Sequence, residues 1–124
     1  MVKKSYPSDL PYPFSAAVRT GNLLFVSGQV GYRDGRLGQG IEEQTRFALE
    51  NIRDILERAG SSLERVVKVT VFLTDISLWP AMNRVYQEYF PKEPPARSSV
   101  GVSALALPGL LVEIECVAEV EEEE

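Results

Sequence analysis

The chain contains no histidine and a single cysteine, Cys116. The first absence removes Ser-His and Cys-His nucleophile pairs, and the two together remove the usual His/Cys zinc constellations and any intrachain disulfide. Proton chemistry is left to Glu, Asp, Lys, Tyr and water. No apolar run is long enough to span a bilayer, so no membrane association is expected. The basic residues near the start, in Met1 to Pro7, have no apolar segment behind them, which does not suit a secretory signal; a cytoplasmic location is expected. No glycine-rich phosphate fingerprint precedes a helical pattern, so nucleotide binding has no support. Basic charge is also short, with 13 Lys and Arg against 18 Asp and Glu and a net charge of -5, which works against nucleic acid as a partner. No metal site is expected.

At 124 residues, with 44% hydrophobic and 25% charged side chains, the composition is that of one globular domain over residues 1–124. Residues 1–12, with Pro7 and Pro11, read as an extended lead-in rather than a regular element, and 121–124 as a solvated acidic tail. Two strands, Phe14 to Arg19 and Leu23 to Val30, flank a hairpin turn at Gly21-Asn22, and Asp34-Gly35 is a second tight-turn signal. The period then changes to that of a helix, with Ile41, Ala48, Leu49, Ile52, Ile55, Leu56 and Ala59 in one stripe and Gly60 as its C-terminal stop. Ser61 to Glu64 suits a short turn, and the β-branched run Val66 to Leu73 a central strand. A second helix is expected after Asp75, with Ser77 as N-cap, Pro80 in its first turn, Met82, Val85, Tyr86 and Tyr89 on one side, and Pro91 as its stop. Strands at Ser98 to Ser103 and Leu111 to Val120 complete a β-β-α-β-α-β-β order, an α+β fold with two helices on one face of a mixed sheet.

Both alternating sets of the second strand, Leu23, Phe25, Ser27, Gln29 and Leu24, Val26, Gly28, Val30, carry apolar residues. Helices on one face leave the other to be covered, and a homo-oligomer is the usual solution.

The last strand sets Val112, Ile114, Cys116, Ala118 and Val120 on one face and Glu113, Glu115, Val117 and Glu119 on the other. Cys116 thereby reads as a small buried hydrophobe, and the glutamates as an acidic stripe unless a basic group faces them. Arg97, stiffened by Pro94-Pro95 and opening a strand expected beside the last one, is the candidate partner; alone it reads as a surface charge. Its planar fork suits a carboxylate such as that of a 2-keto or 2-imino acid. Ser98, Ser99 and the Ser27-Gly28-Gln29 segment add hydroxyls, an amide and a close backbone approach. Trp79, Tyr86, Tyr89 and Phe90 read as packing of an amphipathic helix.

These residues resemble the RidA/YjgF/YER057c/UK114 family over nearly the whole chain. The resemblance rests on Pro95-Ala-Arg-Ser-Ser-Val-Gly-Val followed by Leu111-Val-Glu-Ile-Glu, with support from Gly21-Asn-Leu-Leu-Phe-Val-Ser-Gly-Gln29, the Thr45 to Gly60 helix with Glu50-Asn51, the Val67 to Phe72 strand, and Met82-Asn83 with Tyr86 and Phe90. It implies a chorismate-mutase-like fold, a homotrimer with ligand sites in the clefts between subunits, and cofactor-free hydrolysis of 2-imino acids (2-iminopropanoate, 2-iminobutanoate and their enamines) to 2-keto acids and ammonia. By position, Arg97 would bind the substrate carboxylate and Glu113 would orient or deprotonate the attacking water, while Phe14, Ser27, Gly28 and Ser99 would line the pocket. Two departures stand out. Phe14 occupies a position where active relatives usually carry Tyr, and Ala104 to Pro108 looks one residue longer than usual. The first motivates an alternative, a non-catalytic homologue that senses a small carboxylate in the same cleft; a holdase or RNA-directed activity is a third reading, disfavoured by the acidic charge.

Overall fold

The computed structural model describes residues 3–121, so the acidic tail read at 121–124 lies outside it except for Glu121. In chain order the strands are β1 (Lys4–Pro7), β2 (Ser15–Thr20), β3 (Leu23–Val30), β4 (Tyr32–Arg33) and β5 (Arg36–Leu37), then helix α1 (Gly40–Arg58), β6 (Val66–Leu73), helix α2 (Trp79–Tyr89), β7 (Ala96–Gly101) and β8 (Val112–Glu119). Short 3-10 turns at Leu63–Arg65 and Ile76–Leu78 precede β6 and α2. The main sheet runs β1-β2-β3-β8-β6-β7, and β4 and β5 form a separate ribbon.

Local chemistry accounts for most boundaries. Gly21, at φ +60°, opens the two-residue turn that pairs Thr20 with Leu23, and Asp34 and Gly35, both at positive φ, make the turn between β4 and β5. Gly60 ends α1 in the left-handed region, where its N–H donates to the Glu57 carbonyl and that of Ser61 to the Leu56 carbonyl, the Schellman pattern. Pro80 sits in the first turn of α2, which stops before Pro91. Ser77 does not cap α2: Asp75 caps the 3-10 turn Ile76–Leu78, its Oδ1 accepting from the Ser77 N–H at 2.9 Å and from the Ser77 hydroxyl, and α2 starts after Leu78 with no side-chain cap.

Three strands exceed the expected order. The lead-in is not irregular, since Lys4–Pro7 pairs antiparallel with β2; residues biased to extended backbone by nearby prolines add readily to an open sheet edge, where a proline breaks no ladder. β4 and β5 extend the Asp34-Gly35 turn into a ribbon. The placement of β7 also differs. It begins at Ala96, so Arg97 lies within it, and it pairs parallel with β6 at the sheet edge rather than beside β8. A parallel pair requires a crossover, which α2 supplies, and β6 thereby comes between β7 and β8.

One core lies between the helices and one sheet face. Leu24, Val69, Val71, Leu73, Val112 and Ile114 from the strands meet Leu49, Ile52 and Leu56 of α1 and Met82 of α2. Each such large side chain, removed from water, stabilises the fold by about 1.5–3 kcal/mol before entropy is set against it. The opposite face carries Phe25, Lys68, Thr70, Phe72, Val100, Glu113, Glu115 and Val117 by register, and Phe25 and Val100 stay over 40% exposed.

Candidate active site

β8 alternates as expected, with Val112, Ile114, Cys116 and Ala118 buried beneath the helices and Glu113 and Glu115 on the helix-free face. On its neighbour β3 the alternation breaks. Val26 pairs with Cys116 but Gln29 with Ile114, so Ser27 and Gly28 form a bulge opposite Glu115. The extra residue shifts the phase, and Val30 pairs with Glu113 instead of sharing a face with Leu24 and Val26. Gly28 is turned toward the same carboxylate. A Cβ there would lie 2.8 Å from the Glu113 Cδ and would overlap its Oε2, so only glycine lets the carboxylate rest against this backbone.

Glu113 is half-buried at one end of a cavity of about 550 Å³ lined by Leu10, Tyr12, Phe14, Ser27, Gly28, Val30, Ala106, Leu107 and Leu110. Burial pushes its pKa above the ordinary carboxylate value, and the like charge of Glu115 pushes it the same way. Phe14 stacks on Tyr12 with centroids 6.3 Å apart. The Ser27 hydroxyl donates to the Ser15 carbonyl at 2.6 Å, which leaves its lone pairs, and not its proton, for a ligand.

Arg97 and Ser99 share the other face. Arg97 pairs in register with Val69, a core residue, and its guanidinium lies over the Tyr86 ring at 4.5 Å and the Trp79 ring at 5.7 Å. Trp79 is therefore not core: it is 42% exposed and lines, with Arg97, Ser99, Ile76, Ser77 and Pro80, a second open cavity. The apolar stripe of α2 passes through Trp79, but in the first turn of the helix, beside the exposed Ile76, its ring stays open to the cavity. The Tyr86 phenol is pushed up to about 12 by burial, which outweighs the opposing pull of the Arg97 charge. Ser99 Oγ, Tyr86 OH and Asn83 Oδ1, all on the two elements that hold Arg97, are buried with no hydrogen-bond partner. No carboxylate of the described residues lies within ion-pairing distance of Arg97, so its guanidinium, at the wall of the open cavity, is left able to take an external anion.

Arg97 and Glu113 do not meet within one chain. They are separated by two strand spacings across the sheet and three residues along it, each about 10 Å, and they emerge on opposite faces. Among the described residues no group of three acidic, histidine or cysteine side chains is placed to hold a metal ion, and no helix is long and apolar enough to cross a membrane. Cys116 is buried and its thiol raised to about 12, chiefly by that burial, which makes it inert packing.

The family model for Endoribonuclease L-PSP matches residues 8–120, which takes in both cavities. The chain belongs to that family. Among its L-PSP relatives, the protein mmf2, mitochondrial, of Schizosaccharomyces pombe is 48% identical over 109 residues, 86% of each chain. The Reactive Intermediate Deaminase A, chloroplastic, of Arabidopsis thaliana is 38% identical over 109 residues, covering 86% of this chain and 58% of that one. A crystal structure of a Mycobacterium tuberculosis member of the YjgF/YER057c/UK114 family superposes with a TM-score of 0.86 at 39% identity, over 96% of this chain and all of the other. The L-PSP family thus includes proteins named as reactive intermediate deaminases, and its members carry more than one organelle in their names.

The structure gathers Phe14, Ser27, Gly28 and Glu113 around one cavity and Arg97 and Ser99 around another. Four further residues were not read as part of the site. Trp79, Asn83 and Tyr86 share one helical side at i, i+4 and i+7, a spacing visible in the sequence, but Trp79 and Tyr86 read as packing and Asn83 only as part of the family motif. Gln44, within the stripe of α1, is 2% exposed; its Nε2 donates to the carbonyls of Gly38 and Gly109, and its Oε1 accepts from the Leu111 N–H. It anchors the loop that forms one wall of the Glu113 cavity, and only its polarity amid apolar neighbours marked it beforehand.

Proposed function

We propose that this L-PSP family member hydrolyses 2-imino acids, 2-iminopropanoate and 2-iminobutanoate among them, and their enamine tautomers to 2-keto acids and ammonia. The site is shared between copies in a homotrimer, without cofactor or nucleic acid, in the cytoplasm. The observation that carries this is the separation of Arg97 from Glu113: an unpaired guanidinium on an edge strand and a partly buried carboxylate on the opposite face are two halves of one site, which a second copy would bring together.

Arg97 would hold the substrate carboxylate by two parallel hydrogen bonds, with the ring of Tyr86 fixing the plane of the fork. Glu113 would take a proton from water as its oxygen bonds to the electrophilic C2. The proton passes to the amino nitrogen of the resulting carbinolamine. As the C–N bond breaks and ammonia leaves, the carbinolamine hydroxyl gives its proton to Glu113 and its oxygen becomes the keto oxygen; Glu113 then returns that proton to the departing ammonia or to solvent. A pKa raised above the usual glutamate value brings the base nearer to neutral working pH, which favours the transfer.

Ammonia release from freshly generated 2-iminopropanoate tests the reading. The wild type is expected to accelerate it, and Arg97→Ala to lower kcat/KM by about 10²-fold, the size of two lost charge-assisted hydrogen bonds. A second reading, a small-carboxylate sensor, is favoured by Phe14, which offers no hydroxyl, and by the engaged Ser27 proton. Thermal stabilisation by pyruvate without any acceleration would select it.

A further inference from the structure

We infer that the Glu113 cavity is a side-chain subsite, and that the preferred substrates are 2-imino acids with branched or aromatic apolar side chains rather than the three- and four-carbon acids. The inference rests on the deaminase reading for its reaction but on the cavity wall for its content. Among the described residues Glu113 is the only charged one lining the cavity, whose volume of about 550 Å³ in the single chain lies in the range that encloses drug-sized ligands and is far larger than a three-carbon acid needs. The remaining wall is dominated by Leu10, Tyr12, Phe14, Leu107 and Leu110. Four of these, Leu10, Tyr12, Phe14 and Leu107, are 43–56% exposed in the single chain, apolar surface that the second copy bringing Arg97 would enclose together with the substrate side chain.

The wall is also pre-formed. Leu110 is 5% exposed, Gln44 pins the loop at Gly109 and Leu111, and Gly109, at φ +82°, sits so close that a Cβ there would lie 2.9 Å from Leu37 Cδ2. A water activated by Glu113 attacks C2, so the substituent on C2 lies within reach of this wall. The Ser27 hydroxyl has its proton engaged by the Ser15 carbonyl, so among the described lining residues the Tyr12 phenol alone can offer a side-chain hydroxyl proton. Phe14, a ring without a hydroxyl, keeps its part of the wall apolar.

The test compares imines made in situ from leucine, phenylalanine and alanine, in the wild type and in Leu107→Ser, an exposed position whose substitution leaves the core intact. The leucine- and phenylalanine-derived imines are expected to exceed the alanine-derived one by about 10-fold or more in kcat/KM, and Leu107→Ser to shrink that ratio toward one. Equal kcat/KM for all three, or an undiminished ratio in Leu107→Ser, overturns the subsite while leaving the deaminase reading in place. Thermal shift with 4-methyl-2-oxopentanoate and pyruvate separates the two ideas without turnover. A larger shift with the branched acid supports the subsite even where no imine is hydrolysed, and equal shifts overturn it.

Discussion

At the scale of single residues, Glu113 is held in a form that suits chemistry more than stability. Burial first, and Glu115 second, raise its folded pKa above that of the unfolded chain, so the folded state binds the proton more tightly. Any stability gained from this group is fully present below the unfolded value near 4.5 and is lost as pH rises through the raised folded pKa. At neutral pH the ionised carboxylate is therefore a cost. Glu113→Gln is expected to abolish ammonia release and yet to melt above the wild type at pH 7, with the difference closing near pH 4; a lower Tm at pH 7 would show that the carboxylate is stabilised by contacts rather than strained by burial. Arg97 and Glu113 were singled out in the sequence, but a lone guanidinium and an alternating acidic stripe both read as surface charge; their proposed roles came from the family resemblance, and the two do not face each other within one chain. Gly28 was legible only as a close approach. Its turn toward Glu113 depends on a bulge, which simple alternation along β3 does not reveal.

At the scale of elements, α1 and α2 were readable from their apolar period and β6 from its β-branched run, since these patterns record burial along one contiguous segment. β1 was hidden by its prolines, and the edge position of β7 by the fact that pairing between distant segments leaves no local mark. The loop after β7 was harder still, because its seat is a single side chain on α1. Gln44 satisfies two carbonyls and one N–H from that loop and from the segment before the helix. Gln44→Ala should destabilise by about 2–4 kcal/mol, through unsatisfied backbone groups together with the space it leaves. Gln44→Met, which keeps the volume, should recover only the smaller part. Denaturant midpoints at one fixed chain concentration measure both. If the hydrogen bonds are what hold the wall, Gln44→Met should also lose side-chain discrimination in turnover; a fully rescued variant would assign the effect to packing.

At the scale of the molecule, the sheet has a helix-covered face and an uncovered one, and the two halves of the proposed site lie on different faces. A chain working alone would need Arg97 to cross the sheet, which its stacking on Tyr86 at the edge strand prevents. Subunit sharing has a consequence that no intrachain site reproduces. Arg97→Ala and Glu113→Gln chains, each inactive by itself, are refolded together at equal amounts. A cleft drawing Arg97 from one copy and Glu113 from the next is then intact whenever an unaltered residue faces another, which in random closed assemblies is about a quarter of the clefts. Ammonia release from the mixture should accordingly recover to about a quarter of the wild-type rate, while the unmixed variants stay inactive. No recovery, with mixed assemblies verified by native mass spectrometry, would place both residues' work within one chain and remove the basis for a shared site.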